Sequence, residues 1–198
     1  MRSILLVLAI IQLSCAATPS VESAPAQRLP RVLLQTDAGD IEVEIDSVRA
    51  PISATNFLKY VDGKAYDGGR FHRAVTMANQ PNDSVKIQVV QAGTNPMATM
   101  ARLPAIPLER TSTTGLLHKD GTLSMARGGP DSATSDFFIC IGDQPSLDFA
   151  GHRNLDGQGF AAFGRVLTGM DVVRKIQASP VQAQRLMPPV RIITAKRI

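Results

Sequence analysis

GTLSMARGGPDSATSDFFI, residues 121–139, holds two short apolar runs on either side of a loop rich in turn formers. Residues 122–125 and 137–141 have strand length and strand composition. Gly128, Gly129, Pro130, Asp131 and Ser132 lie between them and favour turn conformations over helix. The same rhythm continues outward. Residues 87–90 form a short apolar run after a polar loop at 77–86, and residues 161–166 and 190–195 form two more. Residues 31–45 read as a hairpin: VLLQT, then Asp37, Ala38, Gly39 and Asp40 as the turn, then IEVEI. Ile41, Val43 and Ile45 alternate with Glu42 and Glu44, so one face of that strand is buried and the other is wet. Helical spacing occurs twice. Ala54, Phe57, Leu58 and Val61 follow Pro51 and stop at Gly63, and residues 170–176 follow Gly169. Many short strands, few helices and long irregular loops predict a mainly β protein, an antiparallel barrel or sandwich. Alternating βαβ units and internal repeats are absent. Closure into a barrel would remove unpaired strand edges.

Composition agrees with a single folded domain. The chain has 198 residues, 44% hydrophobic and 19% charged, which excludes disorder over most of its length. Two cysteines, Cys15 and Cys140, are too few for a disulfide framework. The formal charge is +4, with 21 basic and 17 acidic residues. The basic residues are scattered without a block, so nucleic acid is not an expected partner.

Residues 1–17, MRSILLVLAIIQLSCAA, carry one early positive charge, an apolar run at 4–11 and small residues after it. That is the pattern of a secretory signal peptide, and it is too short for a membrane span. Two processing routes fit. Cleavage near Ala16 or Ala17 would release a soluble protein, whereas Cys15 before two alanines would serve as a lipoprotein acceptor and lipid anchor. Gln12 stands where such acceptor signals usually carry Leu or Val. Either route places the mature protein outside the cytoplasm, in or facing the periplasm. Residues 18–30 contain Pro19, Pro25 and Pro30 with no apolar period, and read as a flexible linker. The domain is then 31–198, expected as a monomer.

Conventional catalytic constellations are not evident. His72, His118 and His152 are isolated, with no short repeated spacing to suggest a metal site. Ser, His and Asp are all present, but no G-x-S-x-G elbow is. No glycine-rich phosphate loop occurs. No cofactor and no metal is therefore expected.

FHR at 71–73 follows the Gly68-Gly69 turn. VVQAG at 89–93, the stretch at 121–139, and LDGQGFAAFGRVLTGMDVV at 155–173 come after it. In order and content these four segments resemble the motifs of the cyclophilin-type peptidyl-prolyl cis-trans isomerases, across about residues 32–198. The likeness is greatest to bacterial members with an enlarged loop after FHR. The resemblance implies a closed eight-stranded antiparallel β-barrel capped by two α-helices, with a shallow groove on one outer face. It also implies the reaction, rotation about X–Pro bonds in peptides and in unfolded exported proteins.

Residue by residue, Arg73 matches the family's catalytic arginine, and Phe71 and His72 its neighbours. Gln91 matches the glutamine that bonds the substrate backbone and orients the arginine. Phe138 matches the floor of the proline pocket, Leu147 its aliphatic wall, and Ala126 a backbone-bonding residue beside it. Val89 stands where the family commonly has Met. Phe160 stands where His is frequent, which leaves the pocket more apolar. Ser146 replaces a Trp associated with cyclosporin binding, so weak cyclosporin sensitivity is expected. Arg127 and Asp136 replace the usual Asn and Gln at the groove. The expectation is that these two pair with each other, or that Asp136 captures Arg73 and slows turnover. The competing readings are a binding module that holds proline-containing segments with little catalysis and, more remotely, a secreted hydrolase.

Overall fold

The computed structural model describes residues 28–198. The leader at 1–17, Cys15 and most of the 18–30 linker lie outside the described residues.

Strands β1 (Arg31–Thr36) and β2 (Gly39–Ile45) form the hairpin read from the sequence. Ile41, Val43 and Ile45 are fully buried. Helix α1 (Pro51–Asp62) begins with proline at its first turn, where a missing N–H costs nothing. It has no local side-chain cap. The carboxylate of Glu109, far along the chain, accepts from the Ile52 and Ser53 N–H groups at 3.0 and 2.7 Å. An anion there also complements the helix dipole. After α1 come β3 (Arg70–Val75), β4 (Val89–Gly93), a one-turn helix α2 (Thr111–Thr114), β5 (Thr122–Met125) and β6 (Phe137–Cys140). The chain continues through β7 (Ala161–Thr168), α3 (Met170–Gln177), β8 (Val181–Gln182) and β9 (Arg185–Arg197).

The sheet runs β1-β2-β7-β5-β6-β4-β3-β9, every pairing is antiparallel, and β9 returns to pair with β1. Eight strands thus close a barrel, and the two-residue β8 is an outlier hydrogen-bonded to β9 alone. Phe57 of α1 lies 5.3 Å between ring centroids from each of Tyr66, Phe137 and Phe163, and Tyr66 and Phe137 meet edge-on at 5.5 Å. This aromatic group anchors the interior. Helix α1 packs on β7 and β9, and α3 on β2, β3 and β4.

Three elements differ from the sequence reading. The strand expected at 87–90 begins two residues later, because the Gln80 side chain takes both backbone groups of Ile87. The strand expected at 190–195 is the middle of a thirteen-residue β9 that opens as a hairpin with β8. Pro188 and Pro189 hide that extension from a strand pattern. Helix α2 and the 3₁₀ turn Pro145–Leu147 were not anticipated.

On β4 and β6 both faces are covered. Val90, Ala92, Phe137 and Ile139 belong to the barrel interior. Val89, Phe138 and Cys140 point outward into a second apolar cluster with Val75, Ile87 and Leu147. Burial on both sides explains why FFIC is apolar without alternation.

Candidate active site

Strand β3 presents the central side chain. In a regular strand Phe71 and Arg73 would share a face, and Phe71 is fully buried in the interior. Against β4, Phe71 pairs with Ala92 and Arg73 with Gln91, so His72 is an extra residue on β3, whereas against β9 the surplus residues between Arg185 and Val190 lie on β9. This bulge turns Arg73 to the outer face, beside His72 instead of behind it.

There the Arg73 guanidinium is bracketed. Its Nη1 donates to Gln91 Oε1 at 3.1 Å, while Nε and Nη2 donate to Gln184 Oε1 at 2.9 and 2.6 Å. Three of the five guanidinium N–H groups are engaged, and two remain without a partner among the described residues. Burial draws the Arg73 pKa down from its usual value, the charge of Arg153 adds to this, and Asp83 opposes it. The group stays charged all the same, since guanidinium pKa values lie far above neutrality.

Beside Arg73 opens a cavity of ≈ 320 Å³ lined by Val89, Gln91, Ala126, Phe138, Leu147 and Phe160, together with Ile87, Arg127, Arg153 and Asn154. Phe138 is its floor, 4% exposed, and Phe160 meets it edge-on at 5.4 Å. Of the expected site residues, Phe71, His72 and Asp136 do not line this cavity, and Phe71 is the one turned away from it altogether. It lies inside the barrel, edge-on to Phe137 at 6.2 Å, and supports the wall without facing the cavity.

Both expectations for Arg127 and Asp136 are overturned. Arg127 does not meet Asp136. It forms a two-pronged pair with Asp156 at 2.8 and 2.9 Å and donates to the Gly159 carbonyl. Its guanidinium carbon also sits 5.0 Å from the centre of the Phe160 ring. A nearer carboxylate, a carbonyl and an aromatic face outcompete Asp136. Nor does Asp136 capture Arg73. Its carboxylate accepts from Gln91 Nε2 at 3.3 Å and lies 3.6 Å from His72 Nε2. Because a carboxylate only accepts, it selects the Gln91 orientation whose amide nitrogen faces Asp136 and whose oxygen faces Arg73.

Beneath the floor lies an arrangement that reading the histidines one by one missed. His118 Nδ1 is 2.7 Å from Asp148 and Nε2 is 2.9 Å from Ser124 Oγ, with the imidazole stacked on Phe138 at 6.0 Å. The residue types are those of a serine hydrolase. Ser124, however, is 0% exposed and faces the barrel wall, so no substrate carbonyl can reach its oxygen. The chain satisfies buried polar groups and braces Phe138.

Gln184 was also missed. It sits in the β8–β9 turn, 111 residues from Arg73 in sequence, and an isolated glutamine in a loop gives no signal of its own. Arg153 and Asn154 were missed for the same reason. Arg153 is tied to the 77–86 loop through Asp83 at 3.1 Å and the Val85 carbonyl at 2.6 Å. Among the described residues no three His, Cys, Asp or Glu side chains cluster as metal ligands would.

A closed antiparallel barrel with a bracketed arginine beside an apolar notch on its outer wall defines a class of peptide-binding isomerase. Residues 31–197 match the family model for the cyclophilin type peptidyl-prolyl cis-trans isomerase/CLD. A peptidyl-prolyl cis-trans isomerase of Acinetobacter baylyi is 37% identical over 180 residues, covering 88% of this chain and 88% of that protein. Peptidyl-prolyl cis-trans isomerase A of Dickeya dadantii is 39% identical over 158 residues, covering 79% and 75%. A Cryptosporidium parvum cyclophilin superposes with a TM-score of 0.68 at 20% identity, covering 86% of this chain and 98% of that one, and supports the fold. The chain belongs to the cyclophilin-type peptidyl-prolyl cis-trans isomerase family, and its activity is peptidyl-prolyl isomerisation.

Proposed function

We propose that this isomerase acts on X–Pro bonds in proline-containing peptides and in exported proteins as they fold, with Arg73 as its catalytic residue. Amide resonance sets a barrier of about 18–20 kcal/mol to rotation. No covalent bond breaks and no net proton transfer is required, so neither a nucleophile nor a general base is needed. In the twisted amide the proline nitrogen becomes pyramidal and regains a lone pair. A fixed N–H donor aimed at it stabilises the twisted state more than the planar one. The observation that carries this reading is Arg73 itself, held by three hydrogen bonds at the lip of an apolar cavity with two N–H groups still available.

The other roles follow from placement. The proline ring fits against Phe138, Leu147, Val89 and Phe160, where exclusion of water weakens the planar form. Gln91 bonds the substrate backbone and, with Gln184, positions the guanidinium. Ala126 offers backbone groups at the rim. His72 and Asp136 flank the entry, and Arg127, committed to Asp156, walls the cavity. A Cryptosporidium parvum relative was crystallised in the presence of the dipeptide Ala-Pro, which supports a proline-containing ligand here. The leader at 1–17 supports export, with Cys15 as the point of lipid attachment and 18–30 as the tether of a monomeric domain. Mass spectrometry of the mature N-terminus distinguishes a lipidated Cys15 from simple cleavage.

The deciding measurement is magnetisation-exchange NMR on a short X–Pro peptide. Arg73→Ala is expected to lower kcat/KM at least a hundredfold, about 2.7 kcal/mol of transition-state stabilisation. A variant as fast as the wild type removes Arg73 from the mechanism. A loss confined to KM favours the binding-module reading.

A further inference from the structure

Beyond Arg73, the outer face shared by β3 and β9 carries an unusual concentration of positive charge. Arg70 lies directly opposite Arg191, and Arg73 directly opposite Arg185. Like charges facing one another across strands repel and destabilise a sheet unless something neutralises them. Elsewhere on the barrel arginines find carboxylates: Arg31 meets Glu42, Arg165 meets Glu44 and Arg197 meets Asp62. Among the described residues Arg70, Arg185 and Arg191 meet none within 4.0 Å.

Three of these arginines enclose a space. An open cavity of ≈ 420 Å³ is lined by Arg70, Arg73 and Arg185 together with His72 and Gln184, and its apolar side is Leu186 and Pro189. No carboxylate lines it. Arg73 lines this cavity and the proline cavity alike, so one peptide can occupy both by crossing the guanidinium. We infer that this second cavity is a subsite for acidic side chains, and that the enzyme favours X–Pro segments flanked by Asp or Glu. The inference rests on the peptide-isomerase reading above and deepens it by naming the substrate class. An extended peptide advances about 3.3 Å per residue, so a segment that crosses Arg73 presents flanking side chains to the cavity lined by Arg70 and Arg185. A peptide is the occupant because the cavity is small and adjoins the proline notch across the shared Arg73 side chain. A nucleic-acid face would need a longer basic stripe and stacking aromatics.

The experiment compares two fluorescein-labelled peptides, identical except for Glu or Gln at the positions flanking X–Pro. It uses the wild type and an Arg70→Gln/Arg185→Gln variant, whose substituted side chains are both on the exposed face. Two quantities are read, kcat/KM by magnetisation exchange and Kd by fluorescence anisotropy. The wild type is expected to prefer the Glu peptide by about fivefold at low salt, the size two exposed ion pairs carry. That preference should shrink at about 500 mM salt, where screening shortens the reach of charge. In the double variant the ratio should approach one. A wild-type ratio near one, or a ratio unchanged in the variant, overturns the inference. If neither peptide is isomerised, the catalytic reading fails, and the anisotropy ratio still decides the acidic subsite. Single-stranded DNA that binds more tightly than the Glu peptide, with the same arginine dependence, overturns it in favour of nucleic acid.

Discussion

Replacing Gln184 by alanine tests whether bracketing Arg73 matters as much as possessing it. The substitution removes an oxygen that accepts from Nε and Nη2 at 2.9 and 2.6 Å. The backbone carbonyl of Gln184, which accepts from the Ala74 N–H, survives, so the β3–β9 wall should hold. Hydrogen bonds to a charged group are worth about 1.5–3 kcal/mol when a buried partner is left bare. Arg73 is only half-buried beside open cavities, so water recovers part of that, and about 1 kcal/mol remains for the loss of orientation. Spent in the transition state, this lowers kcat about fivefold. KM should move less than twofold, since the apolar cavity is untouched. Gln184→Glu keeps an acceptor oxygen and should recover much of the rate. Exchange NMR supplies kcat and KM, and a urea titration confirms the fold. A Gln184→Ala enzyme with wild-type kcat would show that Gln91 alone holds the guanidinium.

Three further outcomes are expected. A fluorophosphonate probe should leave the native protein unlabelled, because Ser124 is sealed in the wall; stoichiometric labelling at Ser124 would revive the hydrolase reading. The thermal midpoint should fall as the pH drops below about 4. Hydrogen bonds from Arg197 hold Asp62 below its usual value of 3.8, those from Arg127 do so for Asp156, and Lys119 for Asp143. The unfolded chain therefore takes up these protons first, the folded state gains above 3.8, and the gain is lost as pH drops through the folded values. A midpoint unchanged at pH 2.5 contradicts this. Cyclosporin should inhibit weakly, with Ser146→Trp strengthening inhibition; potent inhibition of the wild type would show that Ser146 does not set sensitivity.

The barrel was legible wherever one face of a strand was wet, as in Ile41, Val43 and Ile45 against Glu42 and Glu44. Ordered segments such as FHR and VVQAG led to the candidate residues around the cavity. Side-chain partnerships were not legible. Arg127 and Asp136 look complementary in sequence, yet Arg127 finds Asp156 on the loop that follows β6, and Asp136 turns to Gln91 and His72. Gln184 carries no local pattern, and only closure of the barrel brings the β8–β9 turn to Arg73. Thus alternation and helical spacing report the burial of each residue, whereas the loops decide which polar atoms meet.

The extra residue at His72 gives strand β3 an odd–even logic. Phe71 and Arg73 are two positions apart yet face opposite ways, and only the bulge allows this. Were the bulge ironed out with His72 retained, the guanidinium would turn toward the aromatic interior and an alanine toward the outer notch. Removing His72 altogether would instead leave a regular strand with Phe71 still inside and Arg73 still outside. What His72 adds is therefore not the direction of the arginine but a second polar side chain beside it on the outer face.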